Sequence, residues 1–364
     1  MAELQCTNCR QPYPDQWVPY RCSNCGGVFD YTSPFPYDSS RLQEDLPGIW
    51  RYRYSFGLPT DAPVVSLGEG NTPLVLGEGF GKRLAFKCEY LNPTGSFKDR
   101  GSALLASFLR TRYVETAVED SSGNAGSSFA AYAARAGIDA RIFIPDSASG
   151  PKRAQIEAYG ASVIRILGPR SNASDAVQRE AELGTAYGSH AYLPFNLPGY
   201  GTIAYELLEQ LGDVPGCVIA PVGQGGLLLG IGRGFDALRH AGVISTMPEL
   251  IGVQARACAP LWAISTYGPA GLGWVAEGPT LAEGIRVKHP LRGDALLQLV
   301  NATGGKFLAV DEDEILPGRD QLAHRGFYVE PTSAVVWGGL AQISAKLSEP
   351  AVVILTGSGY KTRE

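Results

Sequence analysis

The stretch GSSFAAYAARAGIDARIFIP, residues 126–145, decides the fold class. Its first part is an alanine-rich helical pattern, and its second part is a short run of β-branched and aromatic residues. The same alternation recurs on both sides. RAQIEAYG leads into SVIRIL, RLAFKCEY precedes a helix from Ser102, and the C-terminal half contains GCVIAPV, LIGVQA and AVVILTGSG. Such alternation is typical of βαβ units and predicts an α/β fold with parallel sheets.

The loops after these strands are expected to carry the ligands. Right-handed crossovers place such loops along one edge of a parallel sheet, where open α/β sheets bind small molecules. No internal repeat of fixed period interrupts the pattern. The informative loops should therefore lie at the carboxyl ends of their strands.

Length and composition limit the classes of protein to consider. At roughly 100–200 residues per domain, 364 residues predict about two domains and a small accessory module. A net charge of −5 gives no basic face for a phosphate backbone, so we expect no nucleic-acid partner. The longest apolar runs are far shorter than the roughly 20 residues that cross a bilayer, so no membrane span is expected. The N-terminus lacks an apolar segment behind a basic start, which favours a cytoplasmic location.

Four of the seven cysteines are paired at the start of the chain, as Cys6-x2-Cys9 and Cys22-x2-Cys25. Two such turns present four thiolates to one tetrahedral zinc ion, which predicts a zinc ribbon whose closed coordination makes the metal structural. Two disulfides, or a ribbon that has lost its metal, are the alternatives. The Pro- and Tyr-rich stretch that follows is interpreted as a linker ending near residue 46.

The segment NPTGSFKDRG, residues 92–101, contains Lys98 in a loop that enters a helix. An ammonium is electrostatically unfavourable at a helix N-terminus. One explanation is an amine kept neutral and nucleophilic as a Schiff base with a carbonyl cofactor. The alternative is an ordinary exposed lysine in a capping segment.

A second loop, SSGNAG at residues 121–126, leads directly into the helix of the opening stretch. Serine hydroxyls and free backbone N–H groups at a helix start suit a carboxylate, and Asn124 could hydrogen-bond a ring hydroxyl. A serine-capped helix after a glycine turn is the alternative.

A third loop, GQGGLLLG at residues 223–230, follows the strand GCVIAPV. Its glycines allow the backbone to close around a phosphate at the next helix N-terminus. Leu228 stands where a dinucleotide-binding motif needs glycine, and no Lys-Ser/Thr pair follows to make a P-loop. The phosphate therefore belongs to another cofactor.

A fourth loop begins at Thr356, where the last apolar strand enters a glycine-rich turn. A hydroxyl there can satisfy a pyridine nitrogen without forcing its protonation. A simple turn at a strand end is the alternative.

Together these loops resemble those of the fold-type II pyridoxal-phosphate (PLP) enzymes, whose architecture is that of the tryptophan synthase β subunit, and most closely the threonine synthases. Further matching segments are GEGNTPL (68–74), EPTSAV (330–335) and LTGSG (355–359), so the resemblance spans about residues 62–360. It implies Lys98 as the imine-forming catalytic residue, Asn124 on the cofactor's 3-hydroxyl and Thr356 at its ring nitrogen. The implied phosphate-binding residues are Gly223, Gln224, Gly225, Gly226 and Leu227. The implied substrate-binding residues are Ser121, Ser122, Asn124, Ala125 and Asn196.

Three departures concern the substrate. Ala125 replaces the threonine usual after the loop asparagine, and GQGGL replaces a GNGGN-like phosphate loop. The segment 194–202 around Asn196 lacks the arginine that binds the phosphate of phosphohomoserine in the family. Segments such as TLAEGIRVKHP (280–290) are closer to serine/threonine dehydratases.

The resemblance predicts domains at 1–46 (zinc ribbon and linker), 47–95 with 200–364 (large, PLP-binding) and 96–199 (small, substrate-binding). The implied reaction converts O-phospho-L-homoserine and water to L-threonine and phosphate, in a homodimer acting on a small amino acid. A dehydratase, or a β-replacement enzyme of the cysteate or diaminoacid type, is the alternative. A catalytically dead binding module is a minor one.

Overall fold

Strands alternate with helices along most of the chain, which confirms the predicted α/β class. The structure is a computed structural model and describes residues 3–148 and 150–362. The strands are β1 (Leu4–Cys6), β2 (Phe29–Tyr31), β3 (Leu74–Gly79), β4 (Lys82–Lys87), β5 (Thr116–Glu119), β6 (Asp139–Pro145), β7 (Ser162–Ile166), β8 (Ala186–Tyr187), β9 (Cys217–Pro221), β10 (Glu249–Ala255), β11 (Lys306–Val310) and β12 (Ala351–Ile354). The α-helices are α1 (Lys98–Thr111), α2 (Asn124–Ala136), α3 (Pro151–Ala158), α4 (Arg170–Glu182), α5 (Leu197–Leu211), α6 (Gly226–His240), α7 (Pro260–Tyr267), α8 (Gly293–Ala302), α9 (Glu312–Ala323) and α10 (Pro331–Ile343).

The chain divides into two units. The first comprises residues up to Gly70 and Asn92–Gly199, and the second comprises Asn71–Leu91 and Tyr200–Lys361. Within the part of the chain that the structure describes, no helix combines the length and apolar character needed to span a bilayer.

The first unit is built on a parallel sheet with strand order β7-β6-β5-β8. The β-branched run of β6 buries Ile142 and Ile144 against Leu109 of α1 and Phe129 of α2. This apolar packing fixes where β5 ends and α2 begins. The predicted carboxylate-binding loop lies at that junction.

The N-terminal module is part of the first unit. Strands β1 and β2 pair antiparallel, with Leu4 opposite Tyr31. The ring of Tyr13 packs edge-on against Phe29 of the module, at 4.8 Å between centroids, and against Phe195, at 5.1 Å. The module therefore packs beside the segment that contains Asn196.

The second unit contains a sheet with strand order β11-β10-β9-β12-β4-β3, parallel except for the antiparallel pair β3–β4. Ile219 and Val353, on the central strands, pack in one core with Trp337 of α10. The apolar runs GCVIAPV, LIGVQA and AVVILTGSG, which predicted buried strands, form β9, β10 and β12 of this core.

Residues 47–70 group with the first unit, whereas the sequence-based division placed them with the C-terminal half. The reason is Glu69, whose buried carboxylate accepts hydrogen bonds from Trp50 Nε1 (2.9 Å) and the Tyr132 hydroxyl (2.7 Å). The backbone N–H of Ile49 also donates to the Glu69 carbonyl at 3.0 Å. The functional division into substrate and cofactor domains stays a prediction.

Candidate active site

The loop around Lys98 is closed by the side chain of Asp99. The fully buried Asp99 carboxylate accepts hydrogen bonds from the Thr94 N–H (2.6 Å), the Thr94 hydroxyl (2.5 Å) and the Ser128 hydroxyl (2.6 Å). Lys98 is the first residue of α1 and is half-buried, with its ammonium 4.8 Å from the centroid of the Phe97 ring. The lysine therefore projects from a backbone that its neighbours hold in place.

The predicted carboxylate-binding loop lies between β5 and α2. The Ser121 hydroxyl accepts a hydrogen bond from the Gly123 N–H at 3.1 Å, and α2 begins at Asn124. Gly126 approaches this loop so closely that a Cβ there would lie 1.8 Å from the Ser121 carbonyl oxygen. Ser122 is half-buried in the turn, and Ala125 is buried in the first turn of α2. The loop thus places serine side chains at the positive end of a helix, as an anion site requires.

In the second unit, residues Gly223–Leu227 link β9 to the start of α6. Gly225 has φ +82°, a conformation that glycine adopts without strain. A Cβ on Gly223 would lie 2.9 Å from the Cα of Ile285. The Gln224 side-chain oxygen accepts the Leu291 N–H at 3.1 Å. A tight glycine turn at a helix N-terminus fits a phosphate.

Thr356 follows β12, and its side chain is 2% exposed. Its N–H donates to the Ser333 hydroxyl at 2.9 Å, so the EPTSAV segment (330–335) contacts the loop that begins at Thr356. No described residue forms a hydrogen bond with the Thr356 hydroxyl oxygen. A buried hydroxyl without a protein partner points to a polar atom of a bound molecule, as a pyridine nitrogen would provide.

Asn196, the predicted substrate-binding residue, is connected to the carboxylate-binding loop through two residues that the sequence analysis missed. Asn196 Nδ2 donates to the His190 carbonyl at 2.7 Å, and His190 Nδ1 lies 2.9 Å from Glu119 Oε1. The Ser121 N–H donates to the other oxygen of the Glu119 carboxylate at 2.5 Å. An acidic residue at the end of a buried strand, two positions before Ser121 of the serine loop, was the signal available in the sequence.

Burial shifts the pKa values of both Glu119 and His190. Burial raises the pKa of Glu119 to about 7, although the Ser121 N–H, Arg170 and Lys98 oppose the shift. Burial also lowers the pKa of His190 well below its ordinary range, and the positive charge of Lys98 lowers it further. Perturbed titrating groups of this kind cluster at functional sites.

The four N-terminal cysteines lie together in the first unit. Their sulfur atoms all lie within 4.8 Å of one another, and Cys6 Sγ is 3.4 Å from Cys25 Sγ. None of these four cysteines forms a disulfide in the structure, which is contrary to the disulfide alternative. Four sulfur donors at this spacing form a set that can hold one metal ion.

The parallel α/β architecture, a lysine at one helix start and a glycine loop at another define a class, the α/β enzymes that work with a phosphorylated cofactor. More specifically, the chain belongs to the pyridoxal-phosphate dependent enzymes, because the model of that family matches residues 65–357. Within the family it is threonine synthase-like and has the fold-type II architecture.

The similar proteins include several threonine synthases. The threonine synthase of Methanocaldococcus jannaschii is 33% identical over 98% of this chain and 92% of its own length. That of Methanosarcina acetivorans is 32% identical over 94% of this chain and 87% of its own length. Among solved structures, a threonine deaminase from T.th. is 28% identical, with a TM-score of 0.67 and coverage of 80% of this chain and 94% of that chain.

Proposed function

We propose that this chain is a PLP-dependent threonine synthase that converts O-phospho-L-homoserine and water to L-threonine and phosphate. The observation that carries the proposal is the similarity to threonine synthases over 98% of the chain. The aligned span therefore extends beyond the matched family region of 65–357.

The residues present fit the cofactor. The glycine turn at the start of α6 and the buried Thr356 hydroxyl offer a phosphate site and a partner for a ring nitrogen. When bound, PLP acts as an electron sink that stabilises negative charge at the Cα of an amino acid. In the proposal, Gly223, Gln224, Gly225, Gly226 and Leu227 bind its phosphate, Thr356 contacts its ring nitrogen, and Asn124 contacts its 3-hydroxyl.

The remaining roles belong to the first unit. Lys98 holds the cofactor and moves the proton at the substrate Cα, because it is the lysine of the family motif. Ser121, Ser122 and Asn124 bind the amino-acid carboxylate at the N-terminus of α2, together with the backbone at Ala125. Asn196 contacts the substrate, and its amide oxygen, which has no hydrogen-bond partner among the described residues, is available to a donor group of the bound molecule.

Substrate preference tests the proposal. We expect the PLP-loaded protein to show a higher kcat/KM for O-phosphohomoserine than for threonine or serine, and to release phosphate and threonine in equal amounts. The measurement is product analysis by mass spectrometry under identical conditions for all three amino acids. Release of 2-oxo acid and ammonia from threonine or serine, without turnover of O-phosphohomoserine, would reject threonine synthase.

A dehydratase is the second candidate function. It is favoured by the absence of arginine from residues 194–202 and by the likeness to a threonine deaminase at 28% identity. A hydroxyl leaving group carries no charge and needs no arginine. The same substrate comparison distinguishes the two functions.

Zinc is the metal we propose for the cysteine cluster, because four thiolates within 4.8 Å of one another suit zinc and leave no open coordination position. We expect one zinc ion per chain and its loss in the Cys22→Ser, Cys25→Ser double variant, with PLP loading retained. Elemental analysis and the cofactor absorbance measure the two quantities. Cys88→Ser, at a buried cysteine outside the cluster, is the matched control and should keep its zinc. Full zinc content in the double variant would reject the assignment.

The chain is proposed to act as a cytoplasmic homodimer. A reducing compartment suits the free cysteines of the cluster. Light scattering on the purified protein determines the oligomeric state.

A further inference from the structure

Glu119, at the end of β5, pairs with His190, which follows β8, and the chemistry above uses neither side chain. Glu119 is fully buried, and its carboxylate binds both the Ser121 N–H and Nδ1 of His190. The carboxylate thus joins the carboxylate-binding loop to an imidazole located 71 residues further along the chain.

His190 is the more accessible member of the pair. Its side chain is 20% exposed, whereas that of Glu119 is 1% exposed. Because Nδ1 is engaged by the carboxylate, Nε2 on the other edge of the ring is the atom available to a ligand. Beside it, Asn196 is 3% exposed, and its Oδ1 has no partner in the described part of the chain. A partly exposed imidazole with one nitrogen engaged by a carboxylate points to a polar ligand at the other nitrogen.

The arginine that the family resemblance leads one to expect is missing from the segment around Asn196. Residues 190–202 contain no arginine or lysine, yet a phosphate leaving water needs a positive partner. Arg153, in the same unit, is paired with Glu157 at 2.8 Å on α3. The imidazole is therefore the group in this segment that can become positively charged.

We propose that Glu119 and His190 form the subsite for the substrate's phosphate, and that the pair takes up a proton when the phosphate binds. The inference rests on the proposed function and names how that function is achieved without the arginine. Before binding, Nδ1–H of a neutral imidazole donates to the Glu119 carboxylate. On binding, one proton from solvent adds to Nε2, and the new N–H donates to a phosphate oxygen. No other bond is made or broken, and Glu119 balances the imidazolium charge.

The surrounding charges agree with a neutral starting state. Burial lowers the pKa of His190, as do Lys98 at the start of α1 and Arg170 at the start of α4, whereas Asp120 beside Glu119 raises it. Asp120 is itself buried and accepts a hydrogen bond from the Tyr187 hydroxyl at 2.7 Å. A dianion at Nε2 favours the protonated ring, so binding and protonation are linked.

Calorimetry with inorganic phosphate on the PLP-loaded, full-length protein tests the subsite, since the bound cofactor already fills the phosphate loop of the second unit. Titrations in two buffers of different ionisation enthalpy count the protons taken up. The titrations are run at about pH 8.5, well above the second pKa of inorganic phosphate, so that the phosphate is already dianionic and its own titration contributes little. We expect the protein to take up close to one proton per phosphate bound. The affinity for phosphate should then fall by up to about tenfold for each unit that the pH is raised.

Three variants make the test specific. His190→Gln should bind phosphate roughly tenfold more weakly, because a charge-assisted hydrogen bond is lost, and should take up no proton. His190→Arg should restore the affinity without uptake and without pH dependence, which a merely structural role for His190 does not predict. Glu119→Gln should reduce uptake, because the imidazolium loses its counter-charge. Cofactor absorbance and thermal unfolding establish that each variant is folded.

The outcomes separate this inference from the proposed function. Unchanged phosphate affinity and proton uptake in His190→Gln would overturn the subsite, as would failure of the wild type to bind phosphate. If O-phosphohomoserine turns over with the same KM in wild type and His190→Gln, the subsite is wrong and the function stands. If O-phosphohomoserine does not turn over while phosphate binds with His190-dependent uptake, the function is wrong and the subsite stands.

Discussion

The Lys98→Ala variant is expected to lose at least about 10³-fold of its turnover while keeping its fold. Removing the amine removes both the group that holds the cofactor and the group that moves the Cα proton. The fold should survive because the loop is closed by Asp99, whose partners are Thr94 and Ser128. Steady-state kinetics, circular dichroism and cofactor absorbance measure the three properties separately.

The matched control is Lys306→Ala, at an exposed lysine that begins β11 in the second unit. It should change turnover by less than about twofold, since surface substitutions outside functional features have small effects. Borohydride reduction of the loaded wild type, followed by peptide mapping, should place the cofactor on the peptide containing Lys98. A label on another lysine, or a Lys98→Ala variant with near-normal turnover, would remove the assignment.

Sequence patterns predicted the architecture because the signals are local. The β-branched run of β6 and the alanine-rich face of α2 are each contained in a single short element, and each packs as predicted in the core of the first unit. The cysteine cluster was predictable for the same reason, since two C-x2-C turns at short separation restrict where the sulfur atoms can lie.

The pairs that sequence reasoning missed are long-range. Glu119 and His190 are 71 residues apart, and Lys87 and Glu206 are 119 residues apart. No periodicity links such residues, because their contact depends on which strand ends and helix faces the core packing brings together. The alternation of strands and helices identified Lys87 only as part of the run RLAFKCEY. Its ionic role became visible only from the fold.

In the second unit, Lys87 is the centre of a buried polar network. Its side chain is 0% exposed, and its ammonium lies 2.6 Å from Glu206 Oε2. The ammonium also donates to the Thr72 carbonyl (2.8 Å) and to Gln210 Oε1 (2.9 Å). The other Glu206 oxygen accepts the Asn71 N–H at 2.8 Å. The network therefore anchors the chain where it enters β3.

Glu206→Gln is expected to destabilise the protein by about 3–5 kcal/mol. The substitution removes the negative charge and leaves the buried Lys87 ammonium with neutral acceptors only, which compensate its desolvation less well than a carboxylate does. Lys87→Met should cost a similar amount, because the buried Glu206 carboxylate then lacks its positive counter-charge. Chemical unfolding of the full-length protein, followed by tryptophan fluorescence, gives the difference in free energy of unfolding.

Two further variants separate burial from pairing. Asp236→Asn breaks the Arg239–Asp236 pair, which has the same 2.6 Å separation but side chains 49% and 22% exposed. Its expected cost is below about 1 kcal/mol, because solvent screens an exposed pair. The Lys87→Met, Glu206→Leu double variant should cost less than the sum of its single changes, since neither charge is then left buried alone. The contrary outcome is that Glu206→Gln lowers the free energy of unfolding no more than Asp236→Asn does. Lys87 would then lose its proton or reach water when its partner is removed. Its charge would not contribute to the stability of the segment that enters β3.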